Sequence, residues 1–205
     1  MINPNDFLAA GQQLHGHKCP AMPLGLRAGA AAMNALGVDR AQDGQLVALV
    51  ELGDGHCAHC FADGIQMITG CTFGKGNIQK LGYGKFGVTL IERATGRAVR
   101  VVPRAEAQLA SKKSVFFTEY REKGIPASQV PPALVEPMIA QVMGAPQEQI
   151  LKVGDIHQHV LPKPAEAFES FVCPRCGDMV ITKYGRDLGG ERICQPCFDA
   201  ARPSA

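Results

Sequence analysis

The sequence predicts a mixed α+β protein, in which a helix-and-sheet core domain is followed by a small treble-clef or zinc-ribbon domain. Three observations carry this. Apolar runs rich in β-branched residues are interspersed with small-residue and amphipathic helical patterns as far as residue 161. Eight of the 205 residues are cysteines, four of them in two CxxC pairs near the C-terminus. Between these regions LPKPAEAFES brings two prolines and then polar residues, a linker composition. The expected boundaries are 1–161 for the core, 162–169 for the linker and 170–205 for a four-cysteine zinc finger.

In chain order, DFLAAGQQLH (6–15) reads as a short helix. After Pro23, LGLRAGAAAMNALG is a helix of small and apolar residues with Gly37 as its C-cap. LVALVELG (46–53) is a continuous apolar run, as expected of a buried strand. The loop GDGHCAHC follows, then a short helix, FADGIQMITG, and the loop CTFGKGN. KFGVTLIER and RAVRVVPR, joined by ATG, make a β-hairpin. One amphipathic helix is expected from Ala105 to Lys123, stopped by Gly124. PPALVEPMIAQVMGAP adds another helix, and ILKVGDIHQHV a last strand.

Composition narrows the function classes. The chain is 46% hydrophobic and 20% charged, ordinary for a globular protein. A net charge of +2 argues against a nucleic-acid binder or a polybasic membrane anchor. The N-terminus shows no secretory pattern, and no apolar run approaches the roughly 18 residues needed to cross a bilayer. The expected compartment is the cytoplasm, where clustered cysteines favour metal ligation over disulfides.

The C-terminal signal is Cys173 and Cys176, then seventeen residues, then Cys194 and Cys197. A CxxC turn places two thiolates on one metal, and zinc takes four such ligands in a tetrahedron. A short hairpin, MVITKYGRDLGGERI, is expected between the pairs. So small a unit cannot build an adequate apolar core, so a structural zinc would supply its folding free energy. Basic Arg175, Lys183, Arg186, Arg192 and Arg202 are nearly matched by Asp178, Asp187, Glu191 and Asp199. That balance assigns the finger to structure or protein contacts rather than phosphate binding.

Near the N-terminus, HGHKCP places His15, His17 and Cys19 on one side of an extended segment. CAHC, about 40 residues on, supplies the other half of a candidate site. An open site of one nitrogen and two sulfurs does chemistry, whereas a closed one is structural. The expected ligands are His17, Cys19 and Cys60, with Cys57 or His59 in reserve. Zinc is the expected metal, although such ligands also admit iron, nickel and copper. His15 and His56 are expected as hydrogen-bonded loop residues, and Cys71 is divided between the site and an inert burial. Cys19 or Cys60 could instead act as a thiolate nucleophile, with Asp63 moving protons.

Three further patterns do not carry their usual meaning. CAHC precedes Phe61, where covalent haem attachment needs histidine. GYGKFG matches GxGxxG but runs into the strand VTLIE rather than a helix. GCTFGKG is one residue short of a P-loop, with no Ser or Thr after its lysine. The GKGN loop, with Lys75 and Asn77, remains a candidate anion or substrate loop.

HGHKCP, the LGLRAG helix, CFADGIQMITGCTFGKGN, YGK and the finger together resemble the FmdE family, named for formylmethanofuran dehydrogenase, over nearly the whole chain. The resemblance implies an α+β core with an active-site cleft, a treble-clef-like finger and an intertwined homodimer. It points to His17, Cys19, Cys60, Asp63 and Gln66, and then to Cys71, Thr72, Lys75 and Asn77. The finger resembles those of the TraR/DksA type. Ala21 stands where the family usually has glycine, and HCAH before Cys60 is unusually rich in ligands. The function implied is a metal-binding accessory protein or metal-dependent enzyme in one-carbon or molybdenum/tungsten redox metabolism, with a protein partner in that pathway. A metal carrier, a thiol-based sensor or an assembly factor docking through its finger is the alternative.

Overall fold

A computed structural model describes residues 1–55, 59–162 and 167–202. The chain divides into two compact units, Met1–Leu161 and Pro162–Ala205. Among the described residues no helix is long and apolar enough to cross a membrane.

The first unit opens with α1 (Leu8–His15) and α2 (Ala21–Leu36), each ended by a glycine, Gly16 and Gly37, in the left-handed region. That conformation costs a side-chain-bearing residue more than glycine and closes each helix sharply. The second helix starts before Pro23, whose ring is accommodated in the first turn.

Strand β1 (Leu46–Val50) sends Leu46, Ala48 and Val50 into the main core, while Val47 joins a smaller cluster with Ile91 and Ala98. Successive strand residues face opposite ways, so a strand covered on both faces needs the continuous apolar run seen here. Helix α3 (Cys60–Thr69) then packs on α2. Strands β2 (Ile78–Lys80), β3 (Val88–Glu92) and β4 (Arg97–Pro103) follow. After α4 (Ala105–Lys112), α5 (Pro132–Gly144) and α6 (Gln147–Ile150) come β5 (Leu151–Val153) and β6 (His157–Gln158). The sheet order is β2-β1-β3-β4-β5, with β6 also on β4; among the described residues only the β1–β2 pair is parallel.

In the first unit two elements differ from the sequence expectation. The helix from Ala105 breaks after Lys112, and Phe116–Arg121 continues as a π-helix. Serine chemistry marks the break: the Ser114 hydroxyl donates to Ser111 O, and Ser114 O accepts from both Phe117 N and Thr118 N. The last strand is two short pieces, separated where Gly154 N–H still donates to Arg100 O before the chain leaves the sheet.

Helices α2 and α3 meet at two glycines. A Cβ on Gly25 would meet Phe61 O, and one on Gly64 would meet Met22 O. Backbone touches backbone there, which sets the start of α3 beside the start of α2. At the sheet, the Glu51 carboxylate takes a bidentate bond from Arg100 at 2.5 and 2.7 Å and is only 5% exposed. Arg100 holds its carboxyl below the usual carboxylate range.

In the second unit β7 (Ser170–Val172) pairs with β8 (Met179–Ile181), and β9 (Arg186–Leu188) with β10 (Glu191–Ile193). Helix α7 (Gln195–Ala200) closes it. The expected single hairpin is thus two, because MVI pairs backward with SFV rather than forward. Cys173, Ile193 and Cys194 are its buried centre.

Candidate metal centres

The α2–α3 contact positions the core site. His15 is the last residue of α1, the turn at Gly16 reverses the chain, and Cys19 lies just before α2. Cys60 opens α3. One donor atom from each of His15, His17, Cys19 and Cys60 lies within 4.8 Å of all the others. The three N-terminal donors meet through a helix end and a turn, not along an extended strand.

Spacing tests whether these atoms suit a metal. With Zn–N near 2.0 Å and Zn–S near 2.3 Å, a tetrahedron sets N···N at about 3.3 Å and N···S at about 3.5 Å. His15 Nε2 and His17 Nε2 are 3.2 Å apart, and His15 Nε2 and Cys19 Sγ are 3.6 Å apart. Both distances from His15 suit a four-coordinate divalent ion, and Cys60 lies within 4.8 Å of the other three donors.

His15 is held from behind. Its Nδ1 donates to Asp63 Oδ2 at 2.7 Å, which turns Nε2 toward the site, where a metal would displace its proton. Asp63 Oδ1 accepts from Gln66 Nε2 at 3.2 Å, and Gln66 Oε1 accepts from Phe73 N at 3.0 Å. A chain of bonds therefore runs from the loop after α3 to a candidate ligand. The hydrogen bond expected of His15 is present, and the second ring nitrogen makes it part of the cluster as well.

Charges follow this geometry. Asp63, then Cys19, raises the His15 pKa to about 9. Cys19 is drawn well below the usual thiol range, first by its bond from Cys60 and then by His15 and the Met22 amide. The same bond and burial push Cys60 up. Without metal the cluster holds a Cys19 thiolate beside a protonated His15. Loading a metal displaces protons, so affinity rises with pH.

Other expected site residues lie elsewhere. Cys71 is fully buried in the hydrophobic core, and burial raises its pKa. It is not among the convergent donors. Lys75 Nζ donates to Ala41 O and Gln42 O, each at 3.0 Å. Asn77 accepts from Thr72 N and donates to Asp43 O and Leu46 O. These two side chains tie one loop to another, a structural role for the two residues expected in an anion loop. His59 bonds Gly53 O at 2.8 Å, outside the cluster. Cys57 and His56 lie outside the described residues.

A cleft of about 250 Å³ opens on His17, Cys19 and Cys60. Its other wall is Phe116, Phe117 and Arg121 of the π-helix, with Pro126, Ala127 and Ser128. No sequence signal singled out that wall; its residues sit in an ordinary amphipathic pattern until the helix changes register.

In the second unit, Cys173, Cys176, Cys194 and Cys197 bring their sulfurs within 4.8 Å of one another. Cys176 Sγ and Cys194 Sγ are 3.7 Å apart, near the ~3.8 Å edge of a tetrahedron of four thiolates on zinc. The Cys194 amide bonds Cys173 Sγ at 3.4 Å and lowers its pKa, the bond a ligating thiolate accepts.

Comparison with known proteins agrees with this architecture. Residues 14–152 match the family described as "FmdE, Molybdenum formylmethanofuran dehydrogenase operon". The chain is 30% identical over 191 residues to a "Probable S-adenosyl-L-methionine-binding protein" of Archaeoglobus fulgidus. That match covers 88% of this chain but 50% of the relative, so the chain spans about half its length. A tungsten formylmethanofuran dehydrogenase FmdE-like protein from Syntrophus aciditrophicus has the same fold. It superposes with a TM-score of 0.62 at 20% identity, over 98% of this chain and 95% of that one.

Proposed function

We propose that this chain, which belongs to the FmdE family, is a metal-dependent protein whose core centre serves a small molecule in the adjoining cleft. It would act as an enzyme or accessory protein in one-carbon or molybdenum/tungsten redox metabolism. The observation that carries this reading is the convergence of four nitrogen and sulfur donors within 4.8 Å of one another beside that cleft.

Zinc is the metal the donors favour in both centres, structural in a finger of the TraR/DksA type. A zinc ion in the core would supply positive charge that keeps the thiolates deprotonated and polarises a group lying in the cleft. The chain's own residues do the rest. Asp63 orients His15 and, with its side chain 35% exposed, can pass a proton to solvent. Cys19, Cys60 and His17 form the face presented to the cleft. A homodimer accords with α4, none of whose residues is buried, and with exposed Leu109 and Val115.

The test is metal content per chain by element-specific mass spectrometry, on untagged protein purified without added metal. Two metals are expected in the parent, falling to one in Cys19→Ser and to one in Cys176→Ser. A parent holding one metal that Cys19→Ser leaves in place would refute the core centre.

A metal carrier is the second reading, favoured by the count of four protein donors, since closed sets are typical of sites that hold rather than transform. A carrier surrenders its core metal to a modest chelator while the finger keeps its own; a catalytic centre retains it.

A further inference from the structure

The cleft wall facing the metal donors narrows the identity of the small molecule that the core centre serves. Resting on that proposed function, we propose that the cleft takes an organic anion with an aromatic or other apolar body, whose acidic group is held by Arg121.

Arg121 lies four residues after Phe117 on the π-helix, so both side chains share one helix face. Both line the cleft. Stretches of π-helix are rare and concentrate at functional sites. Arg121 Nη1 donates to Ile125 O at 2.6 Å, which fixes the side chain. Among the described residues no carboxylate forms an ion pair with it. A guanidinium offers five donors in a planar fork that suits a carboxylate. A half-buried one with a single carbonyl acceptor therefore retains donors for a ligand.

The body of the ligand is set by its neighbours. Phe116 and Phe117 pack edge to face, with ring centroids 5.2 Å apart, and Pro126 and Ala127 continue the apolar wall. A second cavity of about 290 Å³ shares Pro20, Ala21 and Phe117 with the first and extends the apolar surface. At about 250 Å³ the cleft lies below the usual ~300–1,000 Å³ range of ligand pockets, so the ligand is small. Bound with its acid on Arg121, such a molecule lies across the gap from Cys19 and Cys60.

Calorimetric titration of the full chain with 3-phenylpropionate and with its neutral counterpart, 3-phenylpropanol, tests this. The carboxylate should bind at least ten-fold more tightly than the alcohol. Arg121→Met should bring the carboxylate to the level of the alcohol without changing the alcohol, and Arg121→Lys should keep part of the preference. Equal affinities in the parent, no binding of either compound, or a preference that survives in Arg121→Met would overturn the proposal. The parent's ratio needs no variant to fold, which matters because Arg121 also holds Ile125. Metal content measured on the same samples separates the two readings. Charge-selective binding to a core without metal would leave this proposal standing and the metal reading refuted. A loaded core without charge selectivity would do the reverse.

Discussion

The two metal-donor clusters differ less in their ligands than in what surrounds them. The core cluster sits at the edge of a large apolar interior that includes Leu26, Phe61, Ile65 and Leu90, all fully buried. The C-terminal cluster is itself most of an interior, with Ile193 the only fully buried large apolar side chain beside its cysteines among the described residues. In the first case packing builds the site; in the second the site must build the packing. Similar chemistry therefore has opposite energetic roles in one chain.

The largest expected effect tests that asymmetry directly. Cys176→Ser should strip the finger of its metal, and its backbone amides should lose hydrogen-exchange protection by about 100-fold or more. Protection in the sheet of the first unit should not change. A finger that keeps its protection would show that its hairpins stand without metal, and the contrast would collapse.

A smaller effect is expected at the core, where metal can be weakened without loss of the fold. Asp63→Asn removes the carboxylate that orients His15, and should lower core metal affinity about 10–100-fold. The metal-free core should also melt a few degrees lower at neutral pH, because it loses the pair between Asp63 and the protonated His15, and that difference should vanish above about pH 9. Chelator competition reads the first quantity and calorimetry the second. Unchanged affinity would mean that His15 is not a ligand.

The smallest effect concerns what holds the core together in place of metal. Glu51→Gln should cost about 1–2 kcal/mol at pH 7, discounted because Arg100 is 43% exposed. The native Glu51 pKa is depressed, so its contribution is complete above the unfolded value of about 4.3. It is lost as pH falls through the depressed value. The gap between parent and variant in urea melts should therefore close in acid. A gap independent of pH would assign the loss to packing rather than charge.

What could be read from the sequence follows the range of each interaction. The finger was legible because the cysteines of each pair are separated by only two residues, and the spacing alone fixes the turn chemistry. His17, Cys19 and Cys60 stood out as ligand types clustered in two short segments. The dual role of His15 did not, because it depends on Asp63, 48 residues away and brought near by the crossing at Gly25 and Gly64. Lys75 and Asn77 suggested an anion loop because their partners, carbonyls near residues 41–46, leave no mark in side-chain identity. The α+β class, β1 and the β3–β4 hairpin followed from periodicity. The change to a π-helix at Phe116 did not, since an amphipathic pattern is the same on either side of a slipped register.

Three of the four core donors fall within residues 15–19. A metal held by so compact a set would keep three of its donors within reach, as a tridentate arm, when the rest of the chain is unfolded. Ligand binding stabilises a fold only by the difference between native and unfolded affinities. The core centre should thus shift the folding equilibrium far less than its native affinity would suggest. Binding metal before folding is complete would let a newly made chain acquire the ion early, with Cys60 closing the site last.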